Sequence, residues 1–454
     1  MATNGVFLTH FSYRGTAGAV TDLLGAPRGG SGLPRGGPSE AWTSMKIAIV
    51  GGGIGGLALA LGLHQRGLSC DVYETVPEVR EIGVGITLLP HAMAELASLG
   101  LQDELEAAGI ENLESVFFNR YGQFIYREPR GRHAGYQVPE IGIHRGKLHR
   151  ALLAAVRQRL GLDHVHLNHR GVGIEQDVQG ATVSFQSASG EPLAPVRADV
   201  VVACDGVNSA LRRQFYPEEK VAFTGINTWR GVTVHKPILT GRSYLRIGSI
   251  ETGKMVIYPI ADNVDGQGNQ LLNWVAEIQQ EGAAMNDWNR AGDAADFIGI
   301  VKDWRFDWLD VPALIAGARE AFEYPMVDKD PVPRWTFGRL TLLGDAAHPM
   351  YPRGSNGSAQ ALIDARTLAD QLAMGGDPRD ALSRYEALRL APTARVVEAN
   401  RTVPPDFIIM KADELSGGRP IEGGIDSLIG QDELREISDA YKDVAGFSLD
   451  ALKK

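Results

Sequence analysis

From residue 46 onward the apolar positions follow two rhythms. Lys46-Ile47-Ala48-Ile49-Val50 is a short unbroken apolar run with β-branched residues, the pattern of a strand buried in a parallel sheet. Gly56, Leu59, Ala60 and Leu63 then recur at helical spacing, and Cys70-Asp71-Val72-Tyr73-Glu74 predicts a second strand. Strand, Gly-rich turn, helix and strand make one βαβ unit of about 30 residues. Lys147 to Leu160 predicts a helix with Leu148, Leu152 and Ala155 on its inner face. Asp199 to Cys204 and Leu340 to Leu343 each predict a further buried strand. Over 221–277 the pattern changes. Val, Ile, Thr, Tyr and Trp dominate, broken by turn clusters at Ala261-Asp262-Asn263 and Asp265-Gly266-Gln267-Gly268, which predicts an inserted antiparallel sheet. Ser358 to Leu372 predicts a helix buried along Leu362, Ala365, Ala369 and Leu372. Residues 379–400 read as helical, interrupted at Pro392. The last 50 residues are mixed and say little.

Composition narrows the class. The 454 residues carry 45 Lys+Arg against 55 Asp+Glu, a net charge of −10, which argues against nucleic-acid or stable membrane-surface binding. Two cysteines make no disulfide framework and point to a reducing compartment, the cytoplasm. The uncharged run Ile47–Leu63 contains six Gly and has a better explanation than a spanning helix. Residues 1–44 hold nine Gly, three Pro and no Lys, and are expected to be a disordered leader, with Met45 fitting a natural start.

Gly51-Gly52-Gly53-Ile54-Gly55-Gly56 satisfies G-x-G-x-x-G after a strand and at the start of a helix, with an acid, Glu74, 18 residues beyond Gly56. That context marks a dinucleotide fingerprint. Gly51 allows the tight turn, Gly53 lets the backbone approach a pyrophosphate, and Gly56 lets helix and strand pack closely. The free N–H groups of Ile54, Gly55 and Gly56 at the helix start suit phosphate. Glu74 would accept from the ribose hydroxyls. The fingerprint alone does not separate FAD from NAD.

Two further segments bear on that choice. Cys204-Asp205-Gly206-Val207-Asn208-Ser209 places a carboxylate at the end of a buried strand, where Asp205 can meet a cofactor or cap a helix. Gly344-Asp345-Ala346-Ala347-His348-Pro349 repeats that design, and a Gly-rich loop, Gly354 to Ser358, leads into the next helix. Asp345 would bind the polyol of a long cofactor. The positive end of that helix would stabilise negative charge on a reduced flavin, which a nicotinamide ring does not carry.

In this order and spacing, the three motifs resemble the class A flavoprotein monooxygenases, the single-component FAD-dependent aromatic hydroxylases. The likeness spans about residues 45–400 and is strongest to the phenazine-modifying and salicylate-type branch. It implies an α/β fold: a Rossmann-like FAD-binding domain (45–122, 140–216 and 334–402), an inserted, mainly antiparallel β-sheet substrate domain (123–139 and 217–333), and C-terminal helices within 403–454. It implies FAD as cofactor, held by Gly51, Gly53, Ile54, Gly55, Gly56, Glu74, Arg145, Asp205, Gly344, Asp345, Pro352, Gly357, Ser358 and Ala359. It also implies NADH or NADPH as co-substrate, with no second nucleotide fold. Oxygen would be trapped as a flavin C4a-hydroperoxide and passed to a small phenolic, carboxylated or N-heteroaromatic ring.

A dry pocket is required, because water releases hydrogen peroxide instead. Trp229, Arg230, Tyr258 and Trp274, on strand-like segments of the insert, are the candidate substrate residues, with one or two expected to face the ring. Arg230 could attract a carboxylate substrate or pair with an acid at the surface. Pro352 and His348 are the catalytic candidates: Pro352 beside the flavin, and His348 as the nearest group titrating near neutrality, able to help deprotonate a phenol, though support of the loop is the favoured role for it. His164, His166 and His169 lack further ligands at metal spacing, so no metal site is expected. The alternatives are a reductase or oxidase of the same fold, or a non-enzymatic FAD-binding module. A monomer or homodimer is expected.

Overall fold

A computed structural model of the chain describes residues 45–78, 84–279, 290–402 and 405–452; the leader 1–44 lies outside the described residues. Its centre is a six-stranded sheet in the order Thr336–Phe337, Leu340–Leu342, Val200–Ala203, Ile47–Val50, Cys70–Tyr73, Val165–His166. All neighbours are parallel except the Thr336–Phe337 pair. The register aligns Val50 with both Tyr73 and Ala203, and Ala203 with Leu342. The residues that follow these strand ends, Gly51, Glu74, Cys204 and Leu343, therefore emerge at one edge. Parallel strands buried on both faces need apolar cover, and the helices Ile54–Gln65, Arg145–Leu160 and Gly357–Ala373 supply it.

An eight-stranded sheet stands beyond that edge, in the order Arg290–Ala291, Ala321–Asp328, Ala222–His235, Gln270–Gln279, Lys254–Ala261, Ser243–Ile247, Glu114–Phe118, Phe124–Pro129. It is antiparallel except where Ser243–Ile247 runs parallel to Glu114–Phe118. Glu114–Phe118, counted on the sequence with segment 45–122, thus joins the inserted sheet. Its long-range partner, about 130 residues away, leaves no local trace in the sequence.

A three-stranded sheet links the two. Its strands are Gly85–Leu88, Ile141–His144 and Ile110–Glu111. Gly85 and Gly142 abut the large sheet: a Cβ on Gly142 would collide with the Pro259 carbonyl oxygen, and one on Gly85 would stand 2.7 Å from Asn273 Cβ. Helix Pro378–Thr402 continues through Pro392, although an interruption is expected there. The neighbouring Leu388 is exposed, so the carbonyl that loses its partner can turn to water. Helices Phe407–Ser416 and Gln431–Ala445 form a smaller apolar cluster with Phe117, Ile125 and Tyr126.

Candidate cofactor and substrate site

The fingerprint glycines are fixed by backbone geometry. Gly51 has φ +113°, and a Cβ there would collide with the Cys204 carbonyl. A Cβ on Gly56 would collide with the Gly51 carbonyl. Gly53 is different: nothing lies within 4 Å of its Cβ position, because it faces a cavity. Gly53 is also the N-cap of helix Ile54–Gln65, and no side chain caps that helix, so its first amides are left for a ligand. Glu74 lies behind the turn. Its Oε2 accepts from Gly52 N at 2.7 Å and its Oε1 from Val76 N at 3.0 Å, leaving lone pairs on both oxygens.

The cavity has a volume of about 440 Å³. On the parallel-sheet side its walls are Gly53, Ile54, Gly55, Cys204, Gly206 and Arg145. Gly344, Asp345, Pro352, Gly357 and Ser358 close the same side. Asp345 is open to the cavity, yet enclosure by its walls raises its carboxyl pKa, against the pull of His348 and Arg145. Its Oδ1 lies 3.9 Å from the Cβ position of Gly357, the first residue of helix Gly357–Ala373, which also lacks a side-chain cap. Ala359 is fully buried just behind this turn. Arg145 is placed by strand pairing: Ile141–His144 lies against Gly85–Leu88, and Arg145 N donates to Val84 O at 3.0 Å.

For two residues with two readings open, the structure shows the supporting contacts. Asp205 sits behind the wall made by Cys204 and Gly206, and its Oδ2 accepts from Ala210 N at 2.9 Å, the helix-cap reading. Burial raises its pKa. His348, a catalytic candidate, does not line the cavity. It is buried, with Nε2 2.5 Å from Asp364 Oδ2, while Asp364 Oδ1 accepts from Arg389 Nε at 2.7 Å and Oδ2 from Gly344 N at 3.2 Å. Burial alone would raise the Asp364 carboxyl, but His348 and Arg389 hold it below its ordinary value. His348 is therefore a strut beneath the Asp345 turn.

The antiparallel sheet forms the opposite wall. Arg230 and Tyr258 line the cavity as expected, but Trp229 and Trp274 do not. Successive strand residues point to opposite faces, so the neighbour of a cavity residue is a core residue. Trp229 stacks on Phe297 at 4.9 Å, and Trp274 Nε1 donates to Thr233 Oγ1 at 3.1 Å, both on the far face. Arg230 lies over the Tyr324 ring at 5.5 Å, and no acid pairs with it among the described residues. Tyr258 stacks on Tyr244 at 5.0 Å, and burial raises its hydroxyl pKa. Glu277 reaches the wall but is paired with Lys254 at 3.0 Å.

Sequence reasoning missed Val84 to Thr87, Tyr244, Val256, Val275 and Tyr324, all at the cavity. Gly85 carried a signal, a glycine inside a strand pattern, which marks close backbone approach. The others carried none.

The family described as "FAD binding domain" matches residues 44–281 and 320–400. The chain belongs to that family. A phenazine 1,6-dicarboxylic acid hydroxylase of Lysobacter antibioticus is 40% identical over 365 residues, covering 79% of this chain and 90% of that protein. A 3-hydroxybenzoate 6-hydroxylase of Polaromonas naphthalenivorans is 30% identical over 373 residues, covering 80% and 88%. The crystal structure of Klebsiella pneumoniae HpxO with FAD and uric acid shares the fold, with TM-score 0.70 at 24% identity over 88% of this chain and 96% of that one. The residues present fit FAD. Two uncapped helix starts, an open glycine cradle and a carboxylate in the cavity match its pyrophosphate, ring and ribityl chain.

Proposed function

We propose that the protein hydroxylates a small aromatic substrate, using FAD, O₂ and NADH or NADPH. The observation that carries this reading is a single cavity with two unlike walls. One is the parallel-sheet edge, with free amides and Asp345. The other is a tyrosine-rich sheet face carrying Arg230, which no acid pairs among the described residues. Bound FAD supplies hydride acceptance and the activation of oxygen.

The chain's own residues do the rest. Gly53 and the amides of Ile54 and Gly55 hold the pyrophosphate, and Glu74 holds the adenosine ribose. Asp345 holds the ribityl hydroxyls. Arg145 would supply positive charge to the cofactor, Pro352 would pack against it, and the Gly357–Ser358 amides would stabilise negative charge on its ring, all four lining the cavity. Tyr258, a protonated phenol whose pKa burial raises further, donates a hydrogen bond to the substrate. Arg230 orients a substrate carboxylate, consistent with relatives named for dicarboxylated phenazine and for hydroxybenzoate. Val256, Val275 and the tyrosines exclude water. The reductant docks without a fold of its own, since no second G-x-G-x-x-G occurs.

The test is NADH and NADPH oxidation in air across phenazine carboxylates, hydroxybenzoates and hydroxypyridines, with product mass. A substrate-dependent gain of one oxygen atom supports the proposal. Peroxide formation independent of every aromatic indicates an oxidase, and no turnover indicates a binding module. Asp345→Ala is expected to lose flavin; full occupancy and activity in that variant would misplace the ribityl site.

A further inference from the structure

We propose that a buried chain of side chains, His91–Asn356–Tyr441–Asn400, keeps the first amides of helix Gly357–Ala373 free for the negative charge of the cofactor, with Tyr441 as the positioning residue. The inference rests on the reading that FAD occupies the cavity. Asparagine is among the best N-cap residues, because its side-chain oxygen accepts an amide of the first turn. Asn356 holds the N-cap position with helical φ −88° and ψ −22° and makes no such bond, so capping would need its backbone to swing to the extended region as well as its side chain to turn. Its Oδ1 lies 3.0 Å from His91 Nε2. Its Nδ2 donates to the Tyr441 hydroxyl at 2.7 Å and, more weakly, to the Gly354 carbonyl at 3.3 Å. The Tyr441 hydroxyl donates to Asn400 Oδ1 at 2.8 Å.

These partners fix the orientation of the Asn356 amide from both ends. Burial lowers the His91 pKa to about 4, so the ring is neutral near pH 7; because the Asn356 oxygen can only accept, the ring's one proton sits on Nε2 and is donated to it. Tyr441, its proton committed to Asn400, offers only a lone pair, and so takes the Asn356 N–H. The four residues come from four parts of the chain: helix Pro90–Ser98, the flavin-side loop, helix Pro378–Thr402 and helix Gln431–Ala445. All four are buried.

The loop and the C-terminal helix are in close contact. Gly354 has φ +75°, and a Cβ there would collide with the Tyr441 hydroxyl. Gln360 Nε2 also donates to Ala445 O at 3.2 Å. Apolar packing alone would hold the loop. A polar chain additionally sets which way one amide faces, a property packing does not control. If Asn356 turned onto its own helix, it would consume an amide of the turn that lines the cavity at Gly357 and Ser358.

The readout is the midpoint potential of bound FAD, beside the FAD dissociation constant. Tyr441→Phe removes the closer of the two acceptors of Asn356 Nδ2, leaving only the weaker Gly354 carbonyl, and frees the residue to swing into a cap. Reduced FAD should then lose about tenfold in affinity relative to oxidised FAD, a fall of about 30 mV for a two-electron couple. The double variant Tyr441→Phe/Asn356→Ala should recover the wild-type potential, because alanine has nothing to cap with. A potential unchanged in Tyr441→Phe overturns the proposal. So does a fall that Asn356→Ala leaves in place, which reports a loosened loop instead. If Tyr441→Phe does not fold, His91→Phe carries the same expectation and the same rescue. It drops the donor to Oδ1 while keeping a ring against Phe447, which the His91 ring stacks on at 5.0 Å. A wild-type protein that binds no FAD would instead sink the site reading.

Discussion

The two walls of the cavity are built on different rules. On the parallel-sheet edge the backbone supplies the polar groups: three strands end in register, and turns with little or no side chain bring amides to one place. On the antiparallel wall the side chains do it, and the pleat sends alternate residues to the cavity or the core. Trp229 and Arg230 are neighbours in sequence, yet one stacks on Phe297 and the other faces the cavity. A backbone-built site leaves glycines in fixed order. A side-chain-built site leaves only residue types that a core uses as readily.

Breaking the edge should have the largest effect. Gly51→Ala forces a side chain onto φ +113° and into the Cys204 carbonyl, which belongs to the central sheet and cannot yield. Strain and overpacking together cost about 5 kcal/mol. The expected result is a large fall in Tm with no flavin retained; a yellow, wild-type-like variant would contradict the turn. Trp274→Ala attacks the far face of the other wall, at about 4 kcal/mol for an emptied buried site. Its folded fraction should still bind FAD with near wild-type affinity, as flavin fluorescence titration would report. Loss of flavin affinity from that fraction would put Trp274 at the site after all.

Acid sharpens the contrast on the cofactor side. His91 is lowered from 6.5 to about 4 by burial, so the unfolded chain binds the extra proton between those values. Stability is full above about pH 6.5 and falls as pH drops toward 4, by about 3 kcal/mol. Comparing Tm at pH 7 and 4.5, His91→Phe should flatten this dependence; an equal slope in the variant would assign it to other groups. The smallest effect is the most specific. Arg230→Gln should raise KM about tenfold for carboxylated aromatics, with FAD content unchanged, since about 1.4 kcal/mol of charge-assisted bonding is lost. An equal rise for uncarboxylated substrates would remove the carboxylate role.

The fold was largely readable. The βαβ rhythm, the buried strands at 47–50, 200–203 and 340–342, and the character of the insert each appear in the chain's own periodicity. The parallel pairing of Glu114–Phe118 with Ser243–Ile247 was not, because nothing local marks a contact across so many residues. In the site, the tight turn at Gly51 and the close packing at Gly56 were legible with their reasons. For His348 loop support was the favoured reading, but its partner Asp364 was not legible, because a histidine in a loop looks the same whether it meets substrate or a buried carboxylate.

The amino-acid sequence by itself determined where the backbone must bend, where it must stay bare, and which three segments carry the turns, because steric limits on φ, ψ and Cβ act locally. Tertiary structure decided which side chains reach the cavity, which carboxylate caps a helix and which stays open, and what restrains Asn356. Those outcomes depend on pleat, register and partners supplied by distant parts of the chain, and no local pattern encodes them.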